Sequence, residues 1–260
     1  MTASSVPAAF LALAETLAEA AGPILRRYYR TQISVDDKAD ASPVTIADRD
    51  AEAAMRAIIN REQPEHGIFG EEFGEERSDA EWVWVLDPVD GTKAFITGKP
   101  SFGTLIALLH NGAPVLGVID QPILRERWLG AAGHPTTLNG DTVRVRPCDA
   151  LAKAALYATG PEMFTGADET AWDRLRKAAK LPRYGADCYA YALLASGFVD
   201  LVVEAQLKPY DYCSMVPIIE GAGGIITDWR GQPLGLHSDG RVVAAGDLRA
   251  HAQALAVLGA

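Results

Sequence analysis

The seven residues Leu86-Asp87-Pro88-Val89-Asp90-Gly91-Thr92, entered through the apolar run Trp82-Val83-Trp84-Val85, constrain this chain more than any other stretch. The run reads as a buried strand, so two carboxylates fall where a core strand stops. There they repel each other and lose hydration unless something offsets their charge. No lysine or arginine occurs in the segment before Lys93. A divalent cation is the simplest partner, and hard oxygen donors favour magnesium, manganese or calcium over zinc. The segment reads as a metal site at a strand end.

The surrounding pattern predicts an α-and-β chain. Residues from about Pro7 to Tyr29 repeat apolar side chains at helical spacing through Phe10, Leu13, Leu17, Ala21, Ile24 and Leu25. Ser42-Pro43 predicts an N-cap and first-turn proline for a helix running to about Arg61. A short strand at Ile68-Phe69 ends in Gly70-Glu71-Glu72, and the strand Trp82–Asp87 follows. Thr104–His110 and Val115–Gln121, separated by Asn-Gly-Ala-Pro, predict a hairpin, which Arg127–Ala131 and Thr142–Arg146 extend. Around Pro147–Lys153 the character changes. Strands at Ala155–Ala158, Leu201–Glu204, Gly224–Asp228 and Val242–Ala245 then alternate with helices at Asp168–Ala179, Tyr189–Gly197, Tyr210–Gly221 and from Leu248 onward. This predicts two lobes, residues 1–147 and 148–260, with the metal site between them.

Composition narrows the function classes. With 34 acidic against 24 basic residues, the formal charge of −10 argues against a nucleic-acid polymer as partner. A small anion remains possible, because a bound cation reverses the local sign. Cys148, Cys188 and Cys213 form no CxxC pair and predict reduced thiols in a cytoplasmic protein. Glu15 and Glu19 interrupt the alanine-rich start, which fits an amphipathic helix better than a signal peptide. The uncharged stretch from Ser101 to Ile119 is broken by His110-Asn111-Gly112 and Pro114, so no membrane span is expected there.

Pro88 fixes the backbone between Asp87 and Asp90. A turn there would bring both carboxylates and the Val89 carbonyl onto one ion, with the Thr92 hydroxyl just beyond to hold a water. A strand followed by a helix capped by Asp90 is the plainer alternative, but it leaves Asp87 unexplained. An EF-hand loop needs alternating acids and a glutamate at its twelfth position, and the pattern fails that test. The haloacid dehalogenase pattern Asp-x-Asp-Gly-Thr is one residue shorter and is a weaker alternative.

Taken together, Gly70-Glu71-Glu72, Trp84 to Thr92, Tyr210-Asp211-Tyr212 and Glu220-Gly221-Ala222-Gly223-Gly224, with Lys38 and Thr45-Ile46-Ala47-Asp48, resemble the inositol monophosphatase family. The resemblance implies a layered αβαβα sandwich of the α/β (α+β) class. It implies two or three magnesium ions, with manganese a substitute, on Glu71, Asp87, the Val89 carbonyl, Asp90 and Asp211. Thr92 and Asp48 would orient and deprotonate the attacking water, with Glu71 also counted in the catalytic set. A homodimer and inhibition by lithium follow from the same likeness. Independently, a phosphate monoester dianion can enter an acidic pocket only alongside metals. One ion then activates water while another stabilises the leaving oxygen, and the Gly91-Thr92 amides suit a phosphate oxygen. On their own, Asp48 and Lys38 read equally well as solvated surface groups and Asp211 as a first-turn acid.

The runs Tyr184 to Tyr191, Asp200 to Asp211 and Phe95 to Pro100 look like the histidinol-phosphatase branch of that family. Histidinol phosphate carries an ammonium and an imidazole, which carboxylates suit. Asp187 and Glu204 are the candidates for that end, joining Asp90, Gly91, Thr92 and Asp211 around the substrate. Asp187 as a helix N-cap and Glu204 as a strand-end acid are equally open readings. Inositol phosphates, sugar phosphates, nucleotide 3′-phosphates and a non-catalytic metal-binding role remain alternatives.

Overall fold

A computed structural model describes residues 6–32, 34–37 and 43–259. Lys38 and Ser42, singled out above, lie outside the described residues. Helix α1 (Ala8–Tyr28) turns Leu13, Leu17, Ala21 and Leu25 inward. Burying three leucines at about 1.5–3 kcal/mol each outweighs the roughly 3 kcal/mol that Pro23 costs inside the helix. By length and composition this helix could cross a membrane, with a mean hydropathy of 1.4 over its most apolar window. Here it covers a sheet. A ribbon of β1 (Val35–Asp37) and β2 (Pro43–Thr45) leads into α2 (Ile46–Glu62). The helix therefore starts later than Ser42-Pro43 predicts. Thr45 caps it, accepting the Ala47 N–H at 3.1 Å while Asp48 accepts the Thr45 N–H at 2.9 Å, a reciprocal capping box.

The next strands are β3 (Gly67–Gly70), β4 (Gly74–Glu76) and β5 (Trp82–Asp90), followed by the short helix α3 (Thr92–Ile96). Then come β6 (Gly103–His110), β7 (Ala113–Gln121), β8 (Glu126–Ala131), β9 (His134–Leu138) and β10 (Asp141–Thr142). Among the described residues they form an eight-stranded sheet in the order β10-β9-β8-β7-β6-β5-β3-β4. The predicted strand Thr142–Arg146 is a correction, since only Asp141–Thr142 pairs with β9. Beyond it, Val143 and Val145 alternate because they pack on the core, while the Val145 N–H reaches the Ala222 carbonyl.

The second half supplies β11 (Ala155–Ala158), α4 (Ala167–Ala178), β12 (Leu181–Tyr184), α5 (Tyr189–Ala195) and β13 (Leu201–Glu204). After these come α6 (Pro209–Tyr212), α7 (Met215–Gly221), β14 (Ile225–Thr227), β15 (Val242–Ala245) and α8 (Leu248–Leu258). The smaller sheet runs β12-β11-β13-β15-β14. The single helix expected over Tyr210–Gly221 is two. Pro217 has no N–H for the Cys213 carbonyl one turn back, so the chain breaks at Cys213-Ser214.

Three apolar clusters stack these elements into five layers. α1 and α2 cover one face of the large sheet, meeting Trp84, Leu86, Ile106 and Val118. Its other face presents Val83, Val85, Leu105 and Ile119 to α5 and α7, and the same cluster continues to Val202 and Val242 of the smaller sheet. α4 and α8 close the far side against Leu156, Leu201 and Val243. The chain is thus an αβαβα sandwich, with residues of both halves sharing the central layer. Packing there is tight. A Cβ at Gly117 of β7 would stand 1.9 Å from the Ser214 carbonyl oxygen.

Candidate active site

Residues three apart on a regular strand face opposite sides of the sheet, yet Asp87 and Asp90 converge. The pairing of β5 with β6 explains this. Asp87 opposes Leu105 and Asp90 opposes Gly103, so β5 carries one extra residue, a bulge that turns the second carboxylate round. Pro88, which has no N–H for the ladder, sits in the bulge, where a strand tolerates it. Its carbonyl accepts the Thr104 hydroxyl at 2.9 Å, and Asp87 Oδ1 accepts the Val89 N–H at 2.9 Å.

Glu71 follows β3, which runs parallel to β5 with Gly70 beside Leu86, so Glu71 continues next to Asp87. Its N–H donates to the Leu86 carbonyl at 3.1 Å. The turn that carries it is fixed by Glu52 of α2, a fully buried carboxylate that sequence reasoning missed. Glu52 accepts the N–H groups of Glu72 and Phe73 at 2.8 and 3.2 Å and the Arg56 side chain at 2.8 Å. A helical glutamate beside an arginine one turn on reads as a surface pair, so no signal marked it.

Asp211 enters from the other half, in the first turn of α6, where its Oδ2 accepts the Lys208 N–H at 2.6 Å. Ligand oxygens of Asp87, Asp90 and Asp211 all lie within 4.8 Å of one another. Burial pushes the three carboxyls up, and their neighbours push further. Glu71 and Asp90 act on Asp87, Asp211 and Asp187 act on Asp90, and Asp211 is raised to about 7. Among the described residues, no lysine or arginine is ion-paired with Asp87 or Asp90. Oxygen donors that repel one another in this way fit a hard divalent cation, and Glu71 acts on Asp87 from beside the trio.

Thr92 and Asp48, the pair expected to handle the attacking water, also come together. The Thr92 hydroxyl lies 3.1 Å from the Val89 carbonyl and 3.5 Å from Asp48 Oδ1. Asp48 is fully buried, which removes the surface reading, and burial raises its carboxyl against the opposing hydrogen bonds of Thr45. Gly91 makes the turn at φ 84, and a Cβ there would meet Asp187 Cβ and Cγ at 2.9 Å.

A cavity of about 230 Å³ brings Glu71, Asp90, Gly91, Thr92, Asp187, Glu204 and Asp211 together. Asp187 is not a helix cap. Cys188 holds that position for α5, and the Asp187 carboxylate takes the Ser101 hydroxyl at 2.6 Å instead. Burial raises Asp187, while Ser101 and then Lys99 and Lys93 draw it down. Glu204, at the end of β13, accepts the Thr159 N–H at 2.8 Å and the Tyr191 hydroxyl at 3.0 Å, and burial lifts it to about 7. The Cys188 N–H donates to Asp90 Oδ2 at 2.7 Å. Ser101, Tyr191, Thr159 and Cys188 were also missed, because each acts across the fold. All three cysteines are free and buried.

The chain as a whole is similar to known proteins. A model of the inositol monophosphatase family matches residues 7–259. Bifunctional phosphatase IMPL2, chloroplastic, of Arabidopsis thaliana is 54% identical over 255 residues, covering 95% of this chain and 74% of that protein. The histidinol-phosphatase of Chlorobaculum parvum is 38% identical, with 90% of this chain and 91% of that protein covered. The structure of an inositol monophosphatase from Zymomonas mobilis superposes with a TM-score of 0.90 at 50% identity, covering 96% of this chain and 97% of the other. The bulged carboxylate site and these likenesses agree, and the chain belongs to the inositol monophosphatase family of metal-dependent phosphatases.

Proposed function

We propose that the chain hydrolyses L-histidinol phosphate to L-histidinol and inorganic phosphate. The observation that carries this reading is the wall of the cavity, where Glu204 and Asp187 stand with the metal carboxylates. A neutral polyol ester brings those acids no charge partner of its own. The ammonium and imidazole of histidinol offset them. Lys93 and Lys99 already offset Asp187 in part, which makes Glu204 the main receptor. Relatives that bear the histidinol-phosphatase name, at 38% and 33% identity, support the choice.

Glu71, Asp87, Asp90, Asp211 and the Val89 carbonyl would hold two or three Mg²⁺ ions, with Mn²⁺ a substitute. Bound there, they would supply charge neutralisation for the phosphate dianion, water activation and stabilisation of the leaving oxygen. The chain's own groups move the proton. Thr92 Oγ1 accepts a hydrogen bond from the attacking water and relays its proton to Asp48, whose raised carboxyl suits it as the base. The water oxygen bonds to phosphorus, the phosphorus–oxygen bond to the alcohol breaks, and the alkoxide leaves as the alcohol after taking a proton from solvent water, to which Asp48 returns the proton it received. No aspartyl-phosphate forms, so the Asp-x-Asp-Gly-Thr comparison drops out of the mechanism. The resemblance extends the reading to a cytoplasmic homodimer that lithium inhibits.

Phosphate release tests the substrate across histidinol phosphate, inositol 1-phosphate, fructose 1,6-bisphosphate and 3′-phosphoadenosine 5′-phosphate in magnesium. Histidinol phosphate is expected to give the highest kcat/KM, with activity lost in EDTA. A higher value for any other ester overturns the assignment.

A further inference from the structure

The geometry points to Tyr191 as a specificity-determining positioning residue, whose buried phenol holds the Glu204 carboxylate in the orientation that receives the substrate's ammonium group. This rests on the reading of histidinol phosphate as substrate.

A glutamate carboxylate rotates broadly about its last torsion, so a receptor built on one must be restrained. Glu204 is restrained at both oxygens. Oε1 takes the Thr159 N–H from the chain that follows β11, and Oε2 takes the Tyr191 hydroxyl from α5. Together the two donors fix the plane of the carboxylate. Each oxygen keeps a lone pair for a further donor, and the side chain lines the cavity. The Thr159 donor is backbone and would be present with any residue but proline there. The phenol is the side-chain half of the arrangement, and it is what a change of sequence can remove.

The placement of Tyr191 is itself rigid. The residue is 1% exposed and its ring belongs to the central apolar cluster between the two sheets. The hydroxyl is therefore held by packing and loses little further freedom when it binds Glu204. One turn back, the same short helix is tied to the metal site, since the Cys188 N–H reaches Asp90 Oδ2 at 2.7 Å. α5 thus fixes one carboxylate at the phosphate end of the cavity and another at the alcohol end. An ester that carries its ammonium at the matching separation binds without rearranging either. An ester with no ammonium can give Glu204 only a neutral hydrogen bond.

Tyr191→Phe removes one hydroxyl and keeps the ring that fills the core. Hydrogen bonds to charged groups are worth enough that a KM increase of about tenfold for histidinol phosphate is expected, with kcat changed less than twofold. The control is 3-(imidazol-4-yl)propyl phosphate, the same ester without its amine. Its KM should not move, and its turnover reports in the same sample that fold and chemistry survive. In a Glu204→Gln background, adding Tyr191→Phe should change KM no further. Equal losses on both esters, a loss confined to kcat, or additive effects in the double variant overturn the role of Tyr191. If the unaltered enzyme shows no preference for the amine-bearing ester, the histidinol-phosphate reading fails first and takes this role with it.

Discussion

Replacing Asp90 by asparagine should make the protein more stable in EDTA and unresponsive to magnesium. The oxygens of Asp87, Asp90 and Asp211 come within 4.8 Å of one another. At that separation and an effective dielectric of about 20, each fully charged pair repels by about 3.5 kcal/mol. Asparagine deletes Asp90 from two such pairs. The full relief is not realised, because burial and mutual repulsion already raise these carboxyls and the site keeps protons that soften the repulsion. A gain of about 2–3 kcal/mol near pH 8 is reasonable, which at roughly 2–4 °C per kcal/mol lifts Tm by about 4–12 °C. The shape is preserved, since an amide oxygen can still accept the Cys188 N–H now bonded to Asp90. Magnesium closes the gap. The natural chain gains about 2.7 kcal/mol at a hundredfold excess over Kd, while the variant gains little and loses turnover. Differential scanning calorimetry in EDTA and in millimolar magnesium reads all four values. An asparagine variant that melts at or below the natural chain in EDTA would refute the picture of repelling carboxylates, and full turnover by it in magnesium would refute the metal assignment.

The pH dependence follows from the same groups. Asp211 rises from 3.8 to about 7 and Glu204 from 4.5 to about 7, both chiefly through burial. In EDTA the native chain then binds more protons than the unfolded chain between about pH 4 and 7. The stability these groups lend is present below pH 4 and fades as pH rises through 7, on the order of a few kcal/mol each. Tm in EDTA should fall from pH 5 to 8, and a flat or rising curve refutes the raised values. Gly91→Ala places a side chain at φ 84 with its Cβ against Asp187. The left-handed conformation alone costs about 1–2 kcal/mol, and displacing Asp187 or Thr92 should reduce kcat tenfold or more. Near-natural Tm and kcat together would show that this turn is not tightly held.

The sequence was most legible where one local force dominates. The apolar run from Trp82 announced a central strand, because both of its faces are covered and no alternation is needed. The strand continues to Asp90, past the predicted end at Asp87, because pairing with β6 resumes beyond the bulge. A bulge depends on the partner strand, so spacing alone cannot show it. Leu181–Tyr184 went unpredicted for a related reason. It is an exposed edge strand containing Pro182, held by pairing with β11 and not by a buried face of its own. In the site, the acids of the metal motif were readable because carboxylates at a strand end demand an explanation. The groups that hold them were not. Ser101 and Asp187 are 86 residues apart, and Cys188 and Asp90 are 98 apart. A serine hydroxyl and a backbone amide carry no mark of such a partner.

The division of the site between the two halves bears on how its selectivity can change. Glu71, Asp87, Asp90 and Thr92 sit at the ends of β3 and β5, and so does the proposed proton path to Asp48. Asp187, Tyr191 and Glu204 belong to α5, the turn before it and β13. Asp211 alone crosses over as a metal candidate. On the proposed assignment, hydrolysis and choice of alcohol are written on different segments, and the alcohol end can vary while the metal end stays put. The freedom has a limit, because α5 serves both. The residue at its cap donates to Asp90 and its first turn donates to Glu204. A substitution that swaps a side chain on β13 changes the alcohol end alone. One that shifts α5 along its axis moves the Cys188 amide away from a metal carboxylate and reduces hydrolysis of every ester. Selectivity should be alterable at Glu204 and Tyr191 one side chain at a time, whereas changes of length between Asp187 and Tyr191 should remove activity altogether.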